Sequence, residues 1–139
     1  MDVPETLKEE DMAGLTDAQA QILLDPNFAV IATVRPDGSP QSSVVWIDWD
    51  GEAAVFTTTR PRAKGRYLER DPRVSISVFD LENPYRYVEI QGVAELSDDG
   101  AAEHIHAMSH KYSGADYPEP DGRLLVRVKP VRVHAMGVE

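Results

Sequence analysis

Apolar positions along the chain change period several times, and each change marks an element. Thr16 and Gln19 have the spacing of a capping box ahead of Ala20, Ile22, Leu23 and Leu24, and Asp25-Pro26 closes the run, so a short helix is predicted over 16–24. From Phe28 the run FAVIATV is almost wholly apolar and rich in β-branched residues. Pro36-Asp37-Gly38 then supplies a turn, and extended character resumes over 41–49. Asp50-Gly51 is a second tight-turn signal before 53–59, so three consecutive antiparallel strands, a meander with both faces buried, are expected.

Pro61 suits the first turn of a helix, and Asp71-Pro72 ends one, which places a short helix at 62–70. Val74, Ile76 and Val78 alternate with Ser75 and Ser77, and after Glu82-Asn83-Pro84 a longer strand is predicted over 85–96. A second main helix covers 98–111, a proline-rich loop 114–121, and a last strand 124–134. Pro130 within that strand implies an edge or a bulge. Six strands with three short helices, in an order that cannot build a parallel βαβ sheet, point to a mainly β fold. A six-stranded antiparallel barrel is the economical solution, because closure removes exposed edges.

The remaining sequence features narrow what such a barrel can do. Residues 1–14 are acidic and without periodicity and read as a flexible N-terminus, leaving 15–139 as one domain. No stretch approaches the ~20 apolar residues of a membrane span, so a soluble, cytoplasmic protein is expected. The chain has 0 cysteines, which removes disulfides, thiolate nucleophiles and sulfur-based zinc sites. A net charge of −10 argues against nucleic acid as a partner. Against that background Arg60, Arg62, Lys64, Arg66, Arg70 and Arg73 form one concentrated basic segment.

That segment carries the most distinctive chemistry. In Thr57-Thr58-Thr59-Arg60-Pro61-Arg62-Ala63-Lys64 a strand ends in hydroxyls and hands over to the basic N-terminus of a helix. Unpaired N–H groups, the helix dipole and neighbouring Arg and Lys side chains make such a junction a phosphate cradle. The bland alternative is a solvated basic face, since Arg62, Arg66 and Arg70 recur at i, i+4 and i+8. His106 and His110 share a helical face with His104 close by, but there is no HExxH pattern and no evident third ligand, so no metal is assigned. Trp46, Trp49, Tyr85 and Tyr87 read first as core, although Tyr87 could be aimed into a site. Tyr112 and Tyr117 either pack or meet substrate.

The run TTTRPRAKGRYLERDPRVSISV resembles the cofactor-gripping region of the pyridoxamine 5'-phosphate oxidase-like split β-barrel family, whose fold is the FMN-binding split barrel. AVIATVRPDGSPQSSVVWI resembles its first two strands and YRYVEIQGVAEL its fifth. The resemblance implies that Arg62 and Lys64, with Arg60, Thr57 and Thr58 nearby, hold a cofactor phosphate. It implies that Gln41, Ser42, Ser43 and Val44 lie along the ring or ribityl chain. It implies a homodimer with cofactor sites at the subunit interface. Ser42 and Ser43 stand where the flavin mononucleotide (FMN) branch carries a basic phosphate ligand. PRAK followed by RDPR looks more like the branch using the 8-hydroxy-5-deazaflavin coenzyme, coenzyme F420. The resemblance therefore implies an F420-dependent oxidoreductase passing a hydride between reduced cofactor and a small unsaturated organic substrate, with Tyr112 a candidate proton donor. An FMN-dependent oxidase or reductase is the alternative on the same fold, and a non-catalytic binder of flavin, deazaflavin or haem is the alternative from another class.

Overall fold

The computed structural model describes residues 14–59, 63–118 and 122–139, without the side chains of Ala63 and Lys64. Helix α1 (Asp17–Leu24) begins where Thr16 Oγ1 accepts the Gln19 N–H and Gln19 Oε1 accepts the Thr16 N–H, the reciprocal cap its spacing predicts. It buries Ala20, Ile22 and Leu23. The chain then continues through β1 (Phe28–Val34), β2 (Pro40–Trp46), β3 (Asp48–Trp49), β4 (Ala54–Thr59), α2 (Ala63–Arg70), β5 (Arg73–Phe79), β6 (Tyr87–Ser97), α3 (Ala101–Ser113) and β7 (Arg123–Met136). No helix among the described residues is long and apolar enough to cross a membrane.

All strand pairs are antiparallel, in the order β2-β1-β5-β6-β7-β4-β3, and the sheet curls into a split β-barrel. The expected meander does not form. β1 and β2 make a hairpin at one margin, β3 and β4 make another at the opposite margin, and β2 does not pair with β4. The predicted strand over 41–49 is divided at Ile47, which is fully buried, so there are seven strands rather than six. The division has a physical cause. At Ile47 the chain leaves one margin of the sheet for the other, and its backbone groups are taken up by side chains of α3 instead of a strand partner.

The expectation that both faces of the first strands are buried holds for much of β4 but not for β2, where Ser42 and Val44 are exposed. Pro130 marks a bulge rather than an edge, since β7 lies between β6 and β4. Gln91 pairs with Arg132 and Gly92 with Pro130, leaving Val131 as the extra residue. Burial along β7 accordingly changes phase, with Pro130 and Val131 both buried. Gly92 is required there, because a Cβ would lie 2.5 Å from the Lys129 carbonyl oxygen and 2.8 Å from Val128 Cγ1.

Inside the curl, Ile31, Phe56, Ile76, Ile90, Val126 and Val128 are fully buried and Leu23 and Leu68 close the core from α1 and α2. Asn27 is a buried polar residue whose groups are both used. Its Nδ2 donates to the Ile22 carbonyl at 2.9 Å and its Oδ1 accepts the Leu81 N–H at 3.0 Å, tying the end of α1 to the β5–β6 loop.

Candidate functional site

Helix α3 is what shapes the flank where the sheet does not pair. Glycines in left-handed conformation bound it, Gly100 at φ 79° and Gly114 at φ 72°. Between them Ala101, Ile105 and Met108 recur at i, i+4 and i+7 and form its buried stripe. Near its end Lys111 Nζ donates to the Leu23 and Ile47 carbonyls, both at 2.7 Å. The Tyr112 hydroxyl donates to the Asn27 carbonyl and accepts the Ile47 N–H at 3.1 Å. These two side chains complete the backbone hydrogen bonding at the break between β2 and β3. Burial lowers the pKa of the Lys111 ammonium, and burial, with the Asp48 carboxylate adding to it, pushes the Tyr112 phenol up to about 12.

A cavity of about 310 Å³ lies between this helix and the strands. Phe28, Val44, Val45, Trp46, Ile105 and Met108 make its apolar wall, and Thr57, Tyr117 and Arg123 supply polar groups. The Trp46 indole stacks on the Tyr112 ring at 5.4 Å and 5°, and the Tyr117 ring meets it edge-on at 6.3 Å and 80°. Arg123 Nη2 donates to the Tyr117 hydroxyl at 2.7 Å. An apolar slot with an aromatic wall and a few polar groups, one of them cationic, suits a planar heteroaromatic ligand with an anionic or strongly polar substituent. Its volume is at the lower end of the roughly 300–1,000 Å³ typical of ligand pockets.

Among the residues singled out in the sequence, Val44 and Thr57 line this cavity. Ser42 shares the outward face of Val44 but lies outside the cavity lining. Gln41 and Ser43 fall on the other face of β2 by strand alternation, and Gln41 Oε1 accepts from Thr33 Oγ1 at 3.1 Å. Thr58, one residue beyond Thr57, points away from the cavity. It is 1% exposed and its Oγ1 has no hydrogen-bond partner. A buried hydroxyl without a partner is uncommon and costly, and here it stands at the strand end that leads to α2. Thr57 and the cationic Arg123, which line the cavity, are the groups that fit an anionic or strongly polar substituent there. Arg60 and Arg62 lie outside the described residues. Lys64 occupies the first turn of α2, with its side chain outside them as well.

The basic segment is partly neutralised within the protein. Arg73 is paired with the buried Asp71 through Nη2 and Oδ2 at 2.6 Å, and this Arg73 hydrogen bond holds the Asp71 carboxyl below its ordinary range. Tyr87 is not aimed at the cavity. Its hydroxyl lies 3.5 Å from His134 Nε2, and Tyr85 is exposed. All three Tyr112 hydroxyl contacts are to backbone, the Asn27 carbonyl and the Ile47 N–H and carbonyl, and its ring stacks against Trp46, which lines the cavity.

Arg123, Phe28, Val45, Ile105 and Met108 are the cavity residues that the sequence pattern does not single out. Arg123 reaches the site because it pairs with Thr59 in the β4–β7 ladder, a register no local pattern reveals. Ile105 and Met108 do carry a signal, the apolar stripe of α3, but that stripe reads equally as core.

Comparison with known proteins accords with this architecture. The family model described as pyridoxamine 5'-phosphate oxidase matches residues 15–137. A pyridoxine/pyridoxamine 5'-phosphate oxidase from Caulobacter vibrioides is 31% identical, with 98% of this chain aligned to 65% of that protein. One from Azorhizobium caulinodans is 34% identical over 71% of this chain and 47% of its own length. The chain thus spans about half to two thirds of the length of these curated relatives. Among solved structures, an F420 reductase is 33% identical with a TM-score of 0.78, covering 86% of this chain and 98% of that one. A conserved hypothetical protein from Mycobacterium tuberculosis is 26% identical with a TM-score of 0.73, covering 94% and 88%. The split barrel, the family model matching nearly the whole domain and these relatives together show that the chain belongs to the pyridoxamine 5'-phosphate oxidase family.

Proposed function

We propose that this chain, as one domain over 15–139, is an oxidoreductase that binds a flavin-type cofactor in the cavity between β2, β4 and α3. The cavity itself is the observation that carries the reading: an aromatic-walled slot with Thr57 and Arg123 at polar positions and a basic helix start close by in sequence. When bound, such a cofactor supplies hydride or electron-pair transfer. The protein supplies enclosure. Trp46, Val44 and Phe28 exclude water from one side, Ile105 and Met108 from the other, and Arg123 and Thr57 hold a polar end. Lys64, with Arg60 and Arg62, is assigned to the phosphate.

Two cofactors compete for this site. The curated relatives are named as pyridoxine/pyridoxamine 5'-phosphate oxidases, which favours the FMN-dependent reading. The deazaflavin reading, with a small unsaturated organic acceptor, is supported by the F420 reductase, whose whole length this chain nearly matches. It is also supported by Ser42 and Ser43 standing where a basic phosphate ligand is expected for FMN. Fluorescence titration of purified protein with each cofactor separates them. Saturation by FMN, with oxygen consumed when pyridoxamine 5'-phosphate is added, supports the first. Tighter binding of the deazaflavin, with its reduced form reoxidised by an unsaturated acceptor, supports the second. Absence of binding by either overturns the proposal.

A homodimer with the sites at its interface belongs to the same proposal. Phe28, Val30 and Val44 are exposed at 39%, 36% and 66%, and Val30 pairs directly with Val44 across the β1–β2 hairpin, forming an apolar row beside the cavity. Light scattering is expected to report a dimer at micromolar concentration, and a monomer that still binds cofactor would remove the interface from the site.

A further inference from the structure

A second cluster of chemistry-bearing side chains lies at the far end of α3, outside the cavity wall. His106 and His110 are one helical turn apart, with ring centroids 4.8 Å from each other. Gly114 then stops the helix in a left-handed conformation and its N–H returns to the Ser109 and His110 carbonyls at 3.1 Å. Ser109 Oγ donates to the Ala115 carbonyl at 2.5 Å, which fixes the turn. The turn carries Asp116 back over the histidines. Its Oδ1 is 2.7 Å from His110 Nε2 and 3.4 Å from His106 Nε2. One ligand atom from each of the three residues lies within 4.8 Å of the others, and all three side chains are exposed. The loop thus brings to the two imidazoles a carboxylate that their sequence spacing does not reveal.

We propose that His106, His110 and Asp116 form a binding site for one divalent transition-metal ion of the zinc type, with a fourth position open to water. Two imidazoles at i, i+4 on one helix face are a standard way of presenting nitrogen to zinc. Two nitrogens with one carboxylate oxygen suit zinc and its neighbours, whereas calcium and magnesium prefer oxygen throughout. Bonds of roughly 2.0–2.2 Å in tetrahedral array put ligand atoms about 3.3–3.6 Å apart. The 3.4 Å separation of His106 and Asp116 already has that value. The His110–Asp116 hydrogen bond must open by somewhat under about 1 Å, and the two imidazoles, whose ligand atoms lie within 4.8 Å, must close toward the same spacing, both by rotation of exposed side chains.

Occupancy has a consequence for the cavity. Asp116 precedes Tyr117, which lines the cavity, lies edge-on to Trp46 and accepts the hydrogen bond from Arg123. An ion held by α3 and Asp116 fastens the connection between α3 and β7, and so fixes that part of the wall. This assignment stands on its own residues and does not depend on which cofactor the cavity takes.

The test uses tag-free, chelator-treated full-length chain. Zinc is titrated in competition with a chromophoric chelator, and cobalt is followed by its visible absorption, which is intense for a four-coordinate site. The expected result is one ion per chain with a tetrahedral-type cobalt spectrum. His110→Ala and Asp116→Asn should each weaken binding by about tenfold or more, a loss that even outer-shell partners of a metal can produce. His134→Ala, on β7 beside Tyr87, should leave affinity unchanged. Zinc should also slow amide exchange of Gly114 to Tyr117 in the unaltered chain but not in Asp116→Asn. Absence of saturable binding overturns the assignment, as does affinity that is the same in His110→Ala and Asp116→Asn as in the unaltered chain.

Discussion

Along β5, β6 and the first half of β7, every second side chain is buried against the core and the backbone is paired on both sides. Along β2 the same alternation leaves Pro40, Ser42 and Val44 exposed, one edge of the strand has no strand partner among the described residues, and just past its end Ile47 is bonded by α3. The first region uses the sheet's own hydrogen bonds and apolar packing. The second ends at Ile47, where two side chains, Lys111 and Tyr112, take up the backbone groups and Trp46 stacks on the Tyr112 ring, and a cavity lies beside them. A barrel that closed completely would have no such cavity, so the split is what makes room for a ligand.

The paired region and the split should respond differently to mutation. Phe56 is fully buried in β4, and Phe56→Ala should cost about 3–5 kcal/mol of unfolding free energy in urea titration, by lost burial and a residual cavity. A loss below about 1 kcal/mol would mean that this core is loosely packed.

At the split, Tyr112→Phe removes the group that serves the Asn27 carbonyl and the Ile47 N–H while keeping the ring under Trp46. It should cost about 1–3 kcal/mol, the penalty of leaving buried backbone groups unserved. Cofactor affinity should change little. The opposite pattern, full stability with lost turnover, would return the hydroxyl to the role of proton donor.

Two binding variants sharpen the contrast between cradle and solvated helix face. Lys64→Ala should weaken cofactor binding by about 1.5–3 kcal/mol, roughly ten- to a hundredfold, and salt should affect this loss only weakly. Arg70→Ala, at the exposed last turn of α2, should cause a small loss that salt erases. Matching behaviour at both positions would place the phosphate elsewhere.

Tyr112 also predicts an alkaline effect. The folded-state pKa of Tyr112, about 12, lies above its ordinary value of 10.0, so the unfolded chain gives up this proton first as pH rises. Stability contributed by the neutral hydroxyl is complete below about pH 10 and is lost as pH climbs through 12. Denaturation midpoints across this interval should fall more steeply for the unaltered chain than for Tyr112→Phe, and parallel curves would show that the phenol is not held neutral by the fold.

The sequence made the local elements legible and the long-range pairings obscure. Thr16 and Gln19 announce α1, Pro130 announces the bulge, and the alternation of Val74, Ile76 and Val78 announces β5, because each depends on neighbours within a few residues. The division at Ile47 and the entry of Arg123 into the cavity depend on α3 and β7, over 60 residues away, and no local period encodes them. Gln41 and Ser43 alternate with Val44 along β2 and are not in the cavity lining, whereas Val45, on their face, is.

The central claim is that the cavity between β2, β4 and α3 is where a flavin-type cofactor binds. It is tested most directly by fluorescence titration of FMN and of the deazaflavin against the unaltered chain, Val44→Glu and Arg123→Met. Val44 is 66% exposed, so a carboxylate there leaves the fold intact while placing negative charge in the slot. The account predicts saturable binding of one of the two cofactors by the unaltered chain and an affinity reduced by about tenfold or more in both variants, on the order of 1.4 kcal/mol. Undiminished binding in both variants would contradict it.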